Sequence, residues 1–356
     1  MPSETVLAKG KIERVTDYRA AVAEVRKLDA PVDAVAFKAV HAGPDYCGTY
    51  LVDDGVLQAM EEYCSVAPLH NRIYLDGIRA FQEAMAGTPM IAAFETEFHA
   101  NRPAWAKRYG IPQEWCEKYG ILRYGFHGAS HEWVSERSAE LLDRPKTELR
   151  VVSCHLGGSS SVCAIRGGVS IDCSMGFSPQ SGLENATRHG ELDPFAVFYL
   201  QKKLNLSTEE LVGRLLEEGG LAGLSGVEGG DIRDIVKAAE RGDQKASETF
   251  DLFCYSVKKY VGAYAAALEG LDAIAFTGGI GENGFRVRSM VCLGLAFLGV
   301  ELDESVNVSQ SGDRIISAPA SKTKVLVVEA NEERIVARRA TRVLRRLEKP
   351  PVAIRA

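Results

Sequence analysis

Short apolar runs alternate with amphipathic stretches along most of this chain. The apolar runs are rich in Val, Ile and Ala, which is typical of buried strands in an α/β sheet. They predict strands at residues 35–40, 90–94, 151–155, 161–166, 273–277 and 325–328. Helical periodicity predicts helices at residues 54–65, 131–142, 207–218, 246–269 and 331–348, the third opened by a capping box of Ser207 and Glu210. The alternation indicates an α/β protein with helices covering its sheets.

Two of the predicted strands run directly into glycine-rich turns. The first turn contains Leu156, Gly157, Gly158 and Ser159, and the second contains Gly279, Ile280, Gly281, Glu282 and Asn283. Exposed backbone amides in such turns bind anions without a charged side chain. A plain tight turn explains either one alone, but two such junctions in one chain favour nucleotide binding. Neither turn matches the P-loop or dinucleotide-binding patterns.

Composition narrows the classes of partner. The chain has 356 residues, 46% of them hydrophobic, so it can bury a large core and is expected to form two domains. Its formal charge of −6 gives no electrostatic reason to bind nucleic acid. The absence of a long apolar run and of an apolar leader at the N-terminus predicts a cytoplasmic protein with no membrane partner. The eight cysteines lack metal-ligand spacing and are expected to be reduced and mostly buried.

Three segments carry ionisable residues among small or aromatic neighbours: residues 94–99, 124–131 and 186–194. Each has an ordinary structural explanation, because a histidine beside glycine is often a satisfied structural group and an arginine near aspartate usually forms a salt bridge. Composition and spacing leave both alternatives open.

The strings themselves are more specific. In order along the chain stand AVHAG, APLHN, FETEFH, RYGFHGASHEWV, CHLGGSSSVCAI, DCSMGFSP, ATRHGELDP, DIRD, FTGGIGEN and VVEANEERIVAR. This series, which spans nearly the whole chain, resembles the acetate kinase family. The resemblance implies the actin-like fold of sugar kinases and Hsp70, with two related α/β domains closing over ATP, in a homodimer. It implies a smaller domain of residues 1–99 plus 333–356 and a nucleotide-binding domain of residues 100–332.

The resemblance also implies the chemistry: reversible in-line transfer of a phosphoryl group from ATP to a short-chain carboxylate, giving ADP and an acyl phosphate. Acetate is the first expected substrate and propionate the second, with Mg²⁺ or Mn²⁺ held by Glu332. The implied catalytic residues are His127, Arg188 and Glu95. The implied substrate residues are Lys38, Val40, Leu69, Phe126 and Pro179. The implied nucleotide residues are His155, Leu156, Gly157, Gly158, Ser159, Asp231, Ile232, Arg233, Gly279, Ile280, Gly281, Glu282 and Asn283.

Several positions depart from the family pattern. The strand and Asn-x-Gly-Ser-Ser-Ser turn with which relatives begin have no counterpart, and residues 6–15 are expected to align with a later strand. Lys38 stands in place of an arginine, Glu95 in place of an aspartate, and Gly158 and Ser159 in place of an Asn-Gly pair. Because these changes surround one ligand, the alternative is a catalytically weakened nucleotide-binding relative with a regulatory or partner-binding role. A sugar kinase or an Hsp70-like ATPase would share only the fold.

Overall fold

A computed structural model of the chain describes residues 4–12, 15–27, 31–308 and 312–347. The chain divides into two compact units. The first unit comprises Met1–Ala100 and Asn331–Ala356, and the second comprises Asn101–Ala330. Relative to the expected division, Ala100, Asn331 and Glu332 fall in the first unit.

The first unit is built on a three-stranded sheet. Its strands are β1 (Val35–Phe37), β2 (Thr49–Leu51) and β3 (Met90–Ala93), in the order β1-β3-β2. β1 runs parallel to β3, and β2 runs antiparallel to it. The helices are α1 (Tyr18–Val25), α2 (Asp54–Glu62), α3 (Asn71–Ala84) and the closing helix of the chain, α15 (Glu332–Leu347). A core that includes Met60, Leu75 and Phe94 fills the space beside the sheet.

The second unit is built on a six-stranded mixed sheet. Its strands are β4 (Arg150–His155), β5 (Ser161–Arg166), β6 (Val169–Cys173), β7 (Ala273–Thr277), β8 (Arg314–Ile315) and β9 (Lys324–Val327). The order is β6-β5-β4-β7-β9-β8, with β4, β7 and β9 parallel and the other pairs antiparallel. The parallel strands are almost fully buried, as their continuous apolar sequences require.

Helices surround this sheet. They are α4 (Ala104–Lys107), α5 (Gln113–Tyr119), α6 (Gly128–Leu142), α7 (Pro194–Leu204), α8 (Thr208–Glu217), α9 (Gly220–Ser225), α10 (Ile232–Glu240), α11 (Gln244–Ala267), α12 (Gly278–Asn283), α13 (Phe285–Cys292) and α14 (Glu304–Val308). Short 3₁₀ turns lie at Tyr63–Ser65, Glu97–His99, Lys146–Glu148, Glu228–Gly230 and Ala296–Leu298. The long helix α11 packs Phe253, Val257 and Val261 into the main core. Six of the eight cysteines are buried, and all eight are free thiols.

Most of the predicted elements are confirmed, with shifted ends. The strand predicted at residues 35–40 stops at Phe37, and the helix predicted at 54–65 ends as a 3₁₀ turn. The capping box of Ser207 and Glu210 is present. The last helix is confirmed to Leu347, and Glu348 lies outside the described residues.

One predicted strand is wrong. Residues 6–12 and Val15 form neither helix nor strand, while Glu13 and Arg14 lie outside the described residues. The expectation came from alignment with a later strand of the family, but a strand needs a neighbour to complete its hydrogen bonds, and the described residues supply none there. The short strands β2, β6 and β8 were not predicted from the pattern.

Candidate active site

The two glycine-rich turns of the second unit lie side by side. Because β4 and β7 are parallel neighbours, their carboxyl ends meet at one edge of the sheet, where His155 pairs with Thr277. The amide of Leu156 donates to the carbonyl of Thr277 at 2.9 Å, and the amide of Ile280 donates to the carbonyl of Leu156 at 2.8 Å. The turns therefore form one surface of closely spaced backbone.

Glycine is required where the two turns touch. Gly278 has a φ of +77°, and a Cβ there would lie 2.7 Å from the carbonyl oxygen of Leu156. At Gly158, by contrast, a Cβ would meet nothing within 4 Å. The backbone at Gly158 therefore has room for the Cβ of the asparagine that the family pattern has at this position.

The polar side chains of the second turn hold the turn itself. A carboxylate oxygen of Glu282 accepts from the amides of Gly278 and Ala330, each at 3.0 Å. The side-chain amide of Asn283 donates to the carbonyl of Gly279 at 2.9 Å. Glu282 and Asn283 thus shape the backbone that a ligand would meet.

The segment from Asp231 to Arg233 opens helix α10. The carboxylate of Asp231 accepts from the backbone amide of Arg233 at 2.9 Å and pairs with its guanidinium. The hydrogen bond from the side chain of Arg233 holds the pKa of Asp231 below its ordinary value. Ile232 belongs to the main hydrophobic core, so its predicted contact with a nucleotide is limited to backbone atoms. The side chain of Arg233 is exposed.

Arg188 is buried without a carboxylate. Only 6% of the residue is exposed, and its guanidinium donates to the carbonyl of Pro179 at 2.8 Å. Among the described residues no carboxylate forms an ion pair with it. Burial lowers the pKa of Arg188 to about 10, so the side chain still carries its charge at neutral pH. A buried cation without a carboxylate partner is costly, so this position is a candidate for binding an anion.

The loop that carries Arg188 is tied to the first glycine turn. The side-chain oxygen of Asn185 accepts from the amide of Ser160 at 2.7 Å, and the amide of Ala186 donates to the carbonyl of Gly158 at 3.0 Å. The amide of Asn185 in turn donates to the carbonyl of Arg188 at 3.1 Å. Arg188 and the glycine turn therefore belong to one hydrogen-bonded group.

His127 begins helix α6 in an uncommon backbone conformation. Its φ of 57° lies in the left-handed region, which few non-glycine residues adopt. Its ring stacks on that of His155, with centroids 4.2 Å apart and planes 26° apart. The structure thus brings together His127 and His155, which were predicted from separate motifs.

Four residues around this pair were not assigned a role from the sequence: Ser130, His131, Ser153 and Ser161. Ser161 contacts both His127 and His131, Ser153 contacts His131, and Ser130 contacts His155. The sequence contains a signal that could have identified two of them. His131 follows His127 by one helical turn, and Ser153 precedes His155 by the two-residue period of a strand, so each shares a face with a predicted site residue. What the sequence did not supply is the pairing of His155 with Ser161 across β4 and β5.

The first unit holds its own charged cluster, formed by Lys38, Glu95 and Glu332. Lys38 follows β1 and Glu95 follows β3, so both lie at the carboxyl edge of this parallel pair, where the amide of Glu95 donates to the carbonyl of Ala39 at 2.8 Å. Lys38 Nζ lies 3.2 Å from a Glu95 carboxylate oxygen and also binds the carboxylate of Glu332. The cluster was predicted residue by residue, but its ion pairs were not.

Electrostatics fix the charge state of this cluster. Burial opposes the protonation of Lys38, but the carboxylates of Glu95 and Glu332 outweigh burial and raise the pKa of Lys38 above its ordinary value. Beside Lys38 and Glu332 lies a cavity of about 290 Å³, also lined by Ala36, Glu333, Val336 and Ala337. The ammonium is therefore charged, and Lys38 is one of the residues that line this cavity.

The four predicted apolar substrate residues are divided between the units. Val40 and Leu69 belong to the first unit, where Val40 is buried and Leu69 is exposed. Phe126 and Pro179 belong to the second unit and are both buried, and Pro179 also accepts the hydrogen bond of Arg188.

Known proteins match this chain over almost its full length. The sequence profile of the Acetokinase family matches residues 9–338. The chain belongs to the acetokinase family. Acetate kinase of Carboxydothermus hydrogenoformans is 41% identical over 373 aligned positions, which cover 95% of this chain and 93% of that relative. Acetate kinase of Bacillus subtilis is 38% identical, with 96% of this chain and 94% of the relative covered.

Solved structures of the family have the same fold. The crystal structure of Porphyromonas gingivalis acetate kinase superposes with a TM-score of 0.84 at 34% identity, covering 92% of this chain and 85% of that chain. A propionate kinase from Francisella tularensis superposes with a TM-score of 0.83 at 33% identity, covering 90% and 82%. The predicted fold class, an actin-like α/β protein, is confirmed.

Neither a membrane-spanning helix nor a cluster of metal ligands is present among the described residues. No helix there is both long and apolar enough to cross a bilayer. The same residues contain no group of three or more His, Cys, Asp or Glu side chains placed to hold a metal ion.

Proposed function

We propose that this member of the acetokinase family transfers a phosphoryl group reversibly from ATP to the carboxylate of a short-chain acid, giving ADP and an acyl phosphate. Acetate is the first candidate and propionate the second. The observation that carries the proposal is Arg188, a buried cation without a carboxylate partner, tied by hydrogen bonds to a glycine turn. The relatives reported above are all named kinases, which favours the enzyme over a non-catalytic relative.

The second unit supplies the groups for the transferred phosphoryl. Phosphoryl transfer needs little covalent help, so catalysis comes from alignment and from neutralising charge on the equatorial oxygens. The guanidinium of Arg188 offers a planar pair of donors in a desolvated setting, where its interaction with an oxyanion is strengthened. His127 supplies a second donor from a backbone position fixed at the start of α6. We assign both to the transition state.

We assign nucleotide binding to the second unit as well. The candidate residues are Gly157, Gly158 and Ser159 in the first turn and Gly279, Ile280 and Gly281 in the second. A Cβ at Gly158 or Gly279 would meet nothing within 4 Å, so a phosphate could approach the backbone closely there. Asp231 and Arg233 begin α10 next to Gly230, whose absent Cβ leaves room for the carbonyl of Ala186 in the Arg188 loop. These two residues are our candidates for contacts with the adenosine.

The first unit supplies the group for the acid. Lys38 Nζ is the cation that would bind the substrate carboxylate, and Glu95 holds it from one side at 3.2 Å. Because the cluster contains one positive and two negative side chains, it attracts an anion only weakly by itself. The role of Glu95 in our proposal is to orient Lys38.

A divalent cation fits the donor chemistry of this cluster. Carboxylate oxygens are the ligands that Mg²⁺ and Mn²⁺ prefer, and Mg²⁺ commonly uses one or two protein carboxylates together with phosphates and water. The carboxylate of Glu332 already binds one cation, Lys38, at the start of α15. We propose that Glu332 would hold the metal. When bound, the metal would neutralise phosphate charge and offset the excess negative charge beside Lys38.

The preference between acetate and propionate depends on a small difference in binding free energy. One methylene separates acetate from propionate and is worth about 1–3 kcal/mol in an apolar pocket. We propose that Val40, Leu69, Phe126 and Pro179 contact the acyl chain, because the last two are buried apolar groups and Pro179 touches Arg188. On the family resemblance alone we further propose a cytoplasmic homodimer.

A coupled ADP-release assay with ATP, MgCl₂ and a series of acids from formate to butyrate tests the proposal. Acyl phosphate is trapped in parallel as the hydroxamate, so that transfer is separated from ATP hydrolysis. We expect carboxylate-dependent ADP release with stoichiometric hydroxamate, highest for acetate or propionate and abolished by EDTA. ADP release without hydroxamate for every acid would overturn the proposal.

A further inference from the structure

A chain of side-chain hydrogen bonds connects His127 to the interior of the second unit. His127 Nδ1 lies 2.8 Å from Ser161 Oγ, and the same oxygen lies 2.9 Å from His131 Nε2. His131 Nδ1 lies 2.8 Å from Ser153 Oγ. His131, Ser153 and Ser161 have no solvent exposure. The order of the relay is therefore Ser153, His131, Ser161, His127.

The relay can be arranged in only two ways when both histidines are neutral. A serine hydroxyl has one hydrogen, so Ser161 can donate to one of its two histidines and must accept from the other. If Ser161 donates to His127 Nδ1, His127 carries its hydrogen on Nε2. If Ser161 donates to His131, His127 carries its hydrogen on Nδ1 instead, and Nε2 can only accept. The tautomer of His131 thus determines the tautomer of His127.

Ser153 decides between the two arrangements. Its hydroxyl makes no hydrogen bond within the described residues other than that to His131 Nδ1. If Ser153 donates to that nitrogen, His131 carries its hydrogen on Nε2 and donates to Ser161, which then donates to His127. In the opposite arrangement the hydrogen of Ser153 is buried without an acceptor, which costs about 1–3 kcal/mol. The favoured arrangement leaves every hydroxyl hydrogen of the relay bonded.

We infer that Ser161 and His131 are positioning residues that fix His127 as the tautomer with its hydrogen on Nε2. This inference rests on the proposed function, because an Nε2 hydrogen is what a phosphoryl oxygen requires of a neutral imidazole. Ring orientation is fixed separately, since Ser130 Oγ lies 2.8 Å from Nδ1 of His155, on which His127 stacks. The relay therefore determines which ring nitrogen of His127 carries the hydrogen, and the stacking on His155 determines the orientation of the ring.

The test is Ser161→Ala, examined by two measurements that do not depend on each other. The first is the tautomer of His127 from imidazole ¹⁵N shifts of histidine-labelled protein, with the signal assigned through His127→Gln. The second is the steady-state rate with acetate. We expect the Nε2–H form to predominate in the wild type and to lose that preference in Ser161→Ala, with kcat falling about tenfold to a hundredfold, the usual range for outer-shell partners. The KM for ATP should change little.

Three further variants keep the test decisive. Ser161→Thr restores the hydroxyl and should recover the tautomer and most of kcat. Ser138→Ala is the matched control, because Ser138 is a buried serine of α6 whose hydroxyl has no partner within the described residues; it should change neither measurement. If Ser161→Ala does not fold, Ser153→Ala removes the donor at the start of the relay and should shift the tautomer in the same direction.

The inference is wrong if His127 keeps its Nε2–H signal in Ser161→Ala, or if kcat stays within about twofold of the wild type when the tautomer changes. Failure of the proposed function would look different. In that case the wild type would form no acyl phosphate, and the ¹⁵N shifts would still report whether the relay sets the tautomer.

Discussion

Each of the two units contains one cation that we propose binds an anionic ligand, and the surroundings of the two cations differ. In the first unit Lys38 is paired with Glu95 and Glu332, which raise its pKa. In the second unit Arg188 is buried beside a carbonyl oxygen, and burial lowers its pKa to about 10. One cation is neutralised within its own unit, and the other has no anion among the described residues.

This difference supports the separate roles that we propose for Arg188 and Lys38. A buried guanidinium without a partner gains most when an external anion arrives, because the cost of desolvation has already been met during folding. A lysine that is shared by two carboxylates gains less free energy from binding an external anion. Its interaction with that anion also depends on any other cation that binds those carboxylates. Arg188 is therefore suited to charge that develops in a transition state, and Lys38 to holding a ground-state carboxylate.

The largest effect is expected from Arg188→Ala. The rate of acyl phosphate formation should fall about a thousandfold or more, the range found for arginines that stabilise phosphoryl transfer. The midpoint of urea unfolding should change little, because removal of a buried charge that has no carboxylate partner offsets the loss of its one hydrogen bond to Pro179. Steady-state assays and urea titrations measure the two effects.

Arg288 is the matched comparison for Arg188. It is equally buried, and burial likewise lowers its pKa to about 10, but it donates to Asn307, Gly281 and Glu282 at 2.8 Å. Arg288→Ala should lower the free energy of unfolding by about 2 kcal/mol or more, because buried acceptors lose their donor. Loss of stability in Arg188→Ala comparable to that in Arg288→Ala would show that Arg188 is structural.

A smaller effect is expected from Glu332→Gln. If Glu332 is the metal ligand, the Mg²⁺ concentration for half-maximal activity should rise about tenfold to a hundredfold while saturating Mg²⁺ restores much of the rate. Glu333→Gln is the control, because Glu333 is the exposed neighbour on the same helical turn. Equal Mg²⁺ requirements in the two variants would remove Glu332 from the metal site.

The Lys38→Arg variant should improve the binding of acetate. A guanidinium can bind a carboxylate through two parallel hydrogen bonds, so the KM for acetate should fall about threefold to tenfold, equivalent to roughly 1 kcal/mol. Lys38→Met should raise the same KM. Lys27→Met, at an exposed lysine of the first unit, serves as the control. An acetate KM that is the same in all three variants would exclude Lys38 from the substrate site.

The smallest effect concerns stability at acid pH. His189, next to Arg188, is half-buried, and burial holds its pKa below the ordinary value. Below that ordinary value, near 6.5, the unfolded chain binds the proton more readily than the folded protein, so stability falls as the pH falls. His189→Gln should reduce the loss in urea midpoint between pH 7.5 and 5.5. A loss identical to that of the wild type would assign the acid sensitivity to other groups.

The elements that could be predicted from the sequence are those whose apolar pattern is compatible with only one kind of environment. The strands at β4, β5 and β7 are continuous apolar runs that only burial on both faces can satisfy, and their bounds were predicted to within one residue. β2 and β8 are two or three residues long and partly exposed, so their pairing depends on neighbours far along the chain. Residues 6–12 show a further limit, because alignment with a strand of the family does not provide a pairing partner in this chain.

The sequence by itself determined the family and the order of most elements, because these follow from local periodicity and from ordered motifs. The same motifs predicted His127, Arg188, Lys38 and Glu332 as site residues. Only the tertiary structure decided their chemical state. The pairing of Lys38 with two carboxylates and the relay through Ser161 each join residues separated by many positions in the chain. The lack of a carboxylate beside Arg188 depends on how its loop is buried. Charge and hydrogen-bond direction depend on distances between such residues and on their exclusion from water, and neither is written in the order of the amino acids.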